Sequence, residues 1–154
     1  MVRKGLWRDG GIVLLAAAAD RATKIWVPEH PCEISGFLRF REAVLNTGMA
    51  FSFLSNAGWV LTALIAMLTI GVIIWLLLDG KMPKLQRIGL CLIAGGALGN
   101  LYDRIAYGAV IDFIELLFVR FAVFNVADVC ICAGAGLAIL AMIIEEKRHA
   151  GKGV

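Results

Sequence analysis

The chain has 154 residues, of which 60% are hydrophobic and 18% charged, with a formal net charge of +3 and a mean hydropathy of +0.84. Soluble domains carry roughly 25% charged residues because they must cover themselves with polar groups, so an ordinary water-soluble domain is disfavoured, and no Lys/Arg run is dense enough to point to nucleic acid. A membrane-crossing helix needs about 20 apolar residues, and the arithmetic suits one integral membrane domain over residues 1–154.

In chain order, Arg3, Lys4 and Arg8 followed by Ile12 to Ala19 have the charged start, apolar middle and alanine-rich end of a secretory signal peptide. Beyond Asp20-Arg21-Ala22-Thr23-Lys24 the chain turns apolar again at Ile25-Trp26-Val27, so the segment is read as a retained helix. The connection from Pro28 to Asn56 is long for a helix bundle. Within it Phe37-Leu38-Arg39-Phe40-Arg41 has strand length and Asn46-Thr47-Gly48 supplies a turn, which predicts a small β element on the outer membrane surface.

Ala57 to Leu78 is a second helix. The loop Asp79-Gly80-Lys81-Met82-Pro83-Lys84, with Arg87 after it, has excess positive charge and is placed in the cytoplasm by the positive-inside rule. Ile88 to about Tyr102 is a third helix, whose Ala94, Gly95, Gly96, Ala97 and Gly99 form a small-residue seam for close contacts inside the bundle. Val123 to Ile144 is the fourth. Alternation then puts 28–56 and 105–122 outside and Lys147, Arg148 and Lys152 inside. The fold class expected is an all-α membrane protein with four transmembrane helices, both termini cytoplasmic, and a small extracytoplasmic β element in the first outer loop.

Cys32, Cys91, Cys130 and Cys132 offer no Cys-x-x-Cys pair beside a histidine and are read as packing residues. The two histidines, His30 and His149, fall on opposite sides of the membrane, which excludes His-Glu-x-x-His chemistry and nucleophiles that need a histidine base. What remains is a set of ionisable groups where they are costly: Asp20, Lys24, Asp103, Arg104, Asp112 and Asp128. At about 1.5 Å per residue, Asp20, Asp103 and Asp128 sit roughly 15, 22 and 24 Å above the inner ends of their helices, in the outer half of a core about 30 Å thick. Asp112 reaches that depth if the second outer connection folds back.

Asp20 precedes Lys24 by four positions and adjoins Arg21, and Asp103 adjoins Arg104, so both look like orienting charges. Asp112 and Asp128 lie in apolar surroundings with only Asn125 close by, where desolvation is expected to raise their proton affinity. Two such carboxylates brought together share a proton around a water. The ionised member activates the water against a peptide carbonyl while the protonated member donates to the carbonyl oxygen. The alternative is that the aspartates pair with Arg104, Lys24 and asparagine amides to lock helices together.

Four ordered blocks resemble the lipoprotein signal peptidases, or signal peptidase II: Asp20 to Lys24, Asn46-Thr47-Gly48-Met49-Ala50-Phe51-Ser52, Gly95 to Arg104 running on to Val110-Ile111-Asp112-Phe113, and Phe124-Asn125-Val126-Ala127-Asp128. The resemblance spans about residues 12 to 135. It implies a bacterial plasma-membrane aspartic peptidase that cuts prolipoproteins on the amino side of a diacylglyceryl-modified cysteine, with its site near the outer leaflet. It implies Asp112 and Asp128 as the catalytic pair, Asn46, Asn100, Arg104 and Asn125 lining the substrate site, and Asp20, Lys24 and Asp103 supporting it. It further implies membrane lipids as surroundings, globomycin as inhibitor, a monomer, and neither metal nor organic cofactor. Val129 stands where serine often follows the last aspartate, and the Asp112 to Asp128 connection is short, 128 − 112 = 16 positions. A short connection trims the cover over the cleft and bears on substrate preference. The competing readings are a small proton- or ion-coupled transporter subunit, which lacks the usual inverted repeat, and a non-catalytic assembly subunit.

Overall fold

The computed structural model describes residues 5–48 and 58–150. Arg3, Lys4, the 49–52 part of the second block, the outer segment beyond Gly48, the start of the second helix at Ala57, and Lys152 lie outside the described residues. The elements run α1 (Leu6–Trp26), a short 3-10 turn (Val27–Glu29), β1 (Cys32–Ile34), β2 (Leu38–Asn46), α2 (Gly58–Leu78), α3 (Lys84–Tyr107), β3 (Val110–Leu116) and α4 (Val126–Ala150).

Helix α3 is the hub, because its small residues let both neighbours approach. A Cβ on Gly95 would overlap Val13 and Ala16 of α1, one on Gly96 would overlap Ala127 of α4, and Gly89 and Gly134 meet backbone to backbone. Small residues of this kind let helix backbones come into direct van der Waals contact. The predicted seam is therefore the contact surface of α3 on two sides. Leu76 of α2 joins Met82, Leu90, Cys91 and Ala94 in a buried cluster, with Val13, Val72 and Ile73 packed against it. α2 and α4 are long and apolar enough to cross a membrane, and α2 leaves Trp59, Met67, Leu68 and Ile70 exposed. α3 is longer than expected at both ends, since Lys84 and Arg87 extend it before Ile88 and it runs on to Tyr107. Of the cysteines read as packing residues, Cys91 is buried, but Cys32 and Cys132 are exposed.

The β element is larger than the first outer loop alone. β1 and β2 form an antiparallel hairpin, and β3 from the second outer connection pairs antiparallel with β2, in the order β1-β2-β3. Locally, Val110 to Phe113 is an apolar run interrupted by an aspartate, a pattern that does not separate strand from loop; pairing with β2 makes it a strand. Across the three strands Arg39 bridges Glu33 at 3.0 Å and Glu115 at 3.4 Å, solvent-exposed pairs worth under about 1 kcal/mol each.

Candidate active site

Asp112 is positioned by three backbone devices. Gly108 ends α3 in the left-handed conformation at φ 71°, where its amide donates to the Arg104 carbonyl, so the chain reverses and β3 starts beside the helix that precedes it. Opposite Phe113 the register of β2 slips between Phe40 and Val44, a bulge that re-aims the neighbouring side chains. The free edge of β3 is then closed by Phe124, which exchanges hydrogen bonds with Ile114 at 2.8 and 3.0 Å. That bridge sets the start of α4, and with it Asn125 and Asp128, next to Asp112. The short connection noted in the sequence is what the bridge closes.

At the start of α4 the Asn125 side chain accepts the Asp128 amide at 3.0 Å, and the Asp128 carboxylate accepts the Asn125 amide at 3.1 Å. This reciprocal cap satisfies helix-end donors and fixes the Asp128 rotamer. The Nδ2 of Asn125 donates to Asp112 Oδ1 at 2.6 Å and to Asn100 Oδ1 at 3.1 Å. Asn125 is thus bonded to both carboxylates. Asn46, from the end of β2, donates to Asp112 Oδ2 at 2.9 Å, and Asn100 donates to Asp128 Oδ1 at 2.8 Å. Asp112 is buried and Asp128 half-buried, so the pair opens to the exterior on the Asp128 side.

Beneath the pair lies a buried ionic network. Lys24, with no exposed side-chain surface, touches Asp20 Oδ2 and Asp103 Oδ2 at 2.8 Å each and donates to Asn100 Oδ1 at 2.9 Å. An ammonium has three N–H donors, and three acceptors meet it. The two carboxylates then reach outward: Asp20 Oδ1 accepts the Ala127 amide at 2.8 Å, and Asp103 Oδ2 accepts the Ile111 amide at 3.2 Å. Each supporting aspartate therefore holds the residue that immediately precedes Asp128 or Asp112. Gly99 leaves the space the Asp20 carboxylate fills, since a Cβ there would collide with it.

The structure corrects two pairings. Asp103 is not held by its neighbour Arg104, because adjacent helix residues do not face each other; its cations are Lys24 and, at 3.5 Å, Arg21. Arg21 likewise turns away from Asp20 and bonds the Tyr107 hydroxyl at 2.7 Å. The buried Arg104 Nε has no hydrogen-bond partner among the described residues, and the charges of Asp112 and Asp128 act on its guanidinium. All nine residues singled out from the sequence thus fall in one contiguous site. The sequence reading set Arg21 beside Asp20 rather than Asp103 and missed the two backbone amides, which carry no side-chain signal.

Burial pushes the Asp112 carboxyl above the ordinary carboxylate range, the Asn46 and Asn125 amides oppose that shift, and the Asp128 charge adds to it. Among the described residues no group of three or more His, Cys, Asp or Glu is arranged to hold a metal. Two hydrogen-bonded carboxylates, one buried and one on the open side, can between them activate a water and donate a proton.

Comparison with known proteins bears on what such a site does. The sequence profile described as Signal peptidase (SPase) II matches residues 12–144. The chain belongs to the signal peptidase II family. A lipoprotein signal peptidase of Shewanella loihica is 37% identical over 96% of both chains, and one from Symbiobacterium thermophilum is 36% identical over 89% of this chain and 95% of its own. A solved bacterial membrane enzyme shares the fold with a TM-score of 0.82 at 26% identity, covering 92% of this chain and 97% of its own. Signal peptidase II is an aspartic peptidase family, so this chain is a peptidase, and the transporter reading finds no support.

Proposed function

We propose that this signal peptidase II removes the signal peptides of prolipoproteins by cutting on the amino side of a diacylglyceryl-modified cysteine, with Asp112 and Asp128 as its catalytic pair. The observation that carries the reading is the double attachment of Asn125, whose Nδ2 bonds Asp112 and whose amide bonds Asp128. The deeper burial of Asp112 favours the proton there and leaves Asp128, on the open side, as the base. Asp128 takes a proton from the attacking water while Asp112 donates to the carbonyl oxygen; as the tetrahedral intermediate collapses, Asp128 passes the water proton to the leaving nitrogen and Asp112 recovers its own from the hydroxyl as the carbonyl re-forms. Asn46, Asn100, Arg104 and Asn125 line the substrate site, Arg104 with a donor to spare, and Asp20, Lys24 and Asp103 support it.

All four helices cross the bacterial plasma membrane as one domain and one monomer, with both termini in the cytoplasm and the catalytic pair near the outer leaflet. The cost of carrying Asp20, Lys24 and Asp103 across is offset by their mutual pairing. The acyl chains of the substrate stay among the membrane lipids while the scissile bond enters from the side. Phe37, stacked on Phe118 with centroids 4.2 Å apart, rests with the sheet on the outer surface.

The test is cleavage of a diacylglyceryl-modified prolipoprotein by purified protein. The wild type cuts before the lipidated cysteine, globomycin blocks it, and Asp112→Asn and Asp128→Asn each lose at least about a thousandfold in turnover while remaining folded. A folded wild type that leaves the substrate intact across a wide pH range refutes the assignment.

A further inference from the structure

At the opposite end of the bundle, charge and an apolar groove meet a second time. Asp9 and Arg87 are 4% and 5% exposed. Arg87 donates to Asp9 Oδ2 at 3.1 Å, to the Leu76 carbonyl at 3.2 Å and to the Asp79 carbonyl, which fixes the α2–α3 turn against the start of α1. Around this web lies a cavity of about 250 Å³ lined by Arg8, Asp9, Met82, Lys84 and Arg87 among others. Three cations face one carboxylate there. Asp9 also lines a second cavity of about 250 Å³, walled by Leu6, Gly10 and Val13 of α1 and Ile73, Leu76 and Leu77 of α2. The α1 residues recur every three or four positions and make a stripe. The groove stays open because α1 and α2 pack chiefly on α3 rather than on each other.

We propose that these two cavities, which share Asp9 as a wall, bind an anionic phospholipid of the inner leaflet, its phosphate held by Arg8 and Lys84 and one acyl chain lying between α1 and α2. The inference rests on the topology proposed above, which puts this end at the cytoplasmic surface. Arg87 is committed to Asp9 and two carbonyls and contributes its field, whereas Lys84 is exposed and Arg8, also exposed, touches Asp9 Oδ1 at 3.4 Å through Nη2, one contact among the five donors of a guanidinium. Charge decides the occupant: a phosphate complements the cationic surplus, whereas the charged start of a signal peptide is itself basic and is repelled. The apolar stripe next to the cations matches a molecule with a charged head and a hydrocarbon tail, which inorganic phosphate is not.

The experiment measures binding of phosphatidylglycerol and of phosphatidylcholine with identical chains to the purified, active protein by native mass spectrometry. Phosphatidylglycerol is retained in preference. Arg8→Gln and Lys84→Gln each weaken that retention roughly fivefold and leave phosphatidylcholine unchanged. Gly10→Phe abolishes it by filling the groove, since a Cβ at Gly10 meets no atom within 4 Å and the ring enters open space. None of the three variants lowers prolipoprotein cleavage in detergent. Equal binding of both lipids, or retention indifferent to Arg8 and Lys84, overturns the proposal. So does displacement by millimolar glycerol 3-phosphate together with an inert Gly10→Phe, which leaves a phosphate site without a chain groove. Labelling of Lys84→Cys by a reagent confined to the outside overturns the leaflet assignment. Preferential retention by a folded protein that never cuts prolipoprotein sinks the proposed function and leaves this site standing, and the reverse result does the opposite.

Discussion

Replacing Lys24 by methionine removes the cation on which the buried network converges while keeping nearly the same side-chain volume. Asp20 then loses its ammonium contact at 2.8 Å and retains the Ala127 amide, whereas Asp103 still has Arg21 at 3.5 Å. Stripping one partner from a buried ion pair costs about 3–5 kcal/mol; with these residual partners the loss falls near the lower end, about 3 kcal/mol, or roughly two decades in the folding equilibrium. Unfolding of purified protein in mixed micelles measures it directly. Adding Asp20→Asn to Lys24→Met recovers at least half of the loss, because the orphaned charge is gone. Turnover falls more than KM rises, since Lys24 touches no substrate in the proposed mechanism but aims Asn100 and, through Asp20 and Asp103, the backbone before each catalytic aspartate. A Lys24→Met protein within 1 kcal/mol of wild type that cleaves at the wild-type rate refutes this account of the network.

Asn46→Ala deletes the donor that opposes the upward shift of Asp112, so the alkaline limb of the pH profile of kcat/KM, where the acid Asp112 loses its proton, moves to higher pH. A carboxyl raised in the folded state stabilises the fold below its unfolded value and loses that contribution as pH rises through its folded value, so the stability deficit of Asn46→Ala is greatest near neutrality and shrinks in acid. Gly99→Ala forces a methyl into the Asp20 carboxylate, with a cost of about 1–3 kcal/mol visible as a lowered Tm, and slower cleavage because Ala127 is no longer held. Asn125→Ala removes the helix cap, worth about 1 kcal/mol, and the link between the carboxylates; turnover drops at least about a hundredfold, and a variant with full turnover contradicts the bridging role.

The particular residues show where the information resides. Chain length, apolar runs and the glycine seam determine by themselves that helices form and that α3 lies between two partners, because helix periodicity and close approach are local properties of side chains. Asp20, Lys24, Asp103, Arg104, Asp112 and Asp128 stood out in the sequence for a related reason, since a charge among apolar residues is costly wherever the segment packs, whereas Asn46, Asn100 and Asn125 were assigned to the site only by the family resemblance. The fourth helix was expected from Val123, whereas it starts at Val126 behind the Asn125 cap, because the apolar run alone does not mark where a reciprocal cap between neighbours three residues apart begins the helix.

Only the tertiary structure decided the rest. That β3 is a strand depends on β2 being alongside to pair with it, and that Asp128 lies beside Asp112 depends on Phe124 closing the edge of β3. Which cation holds Asp103 followed from helix geometry across α1 and α3 and not from adjacency to Arg104. The amides of Ile111 and Ala127 carry no side-chain signature at all, so no pattern of letters could have shown that Asp20 and Asp103 hold the backbone before the two central aspartates. Cost is written residue by residue along the chain, whereas partnership between distant segments exists only once packing has brought them within a hydrogen bond.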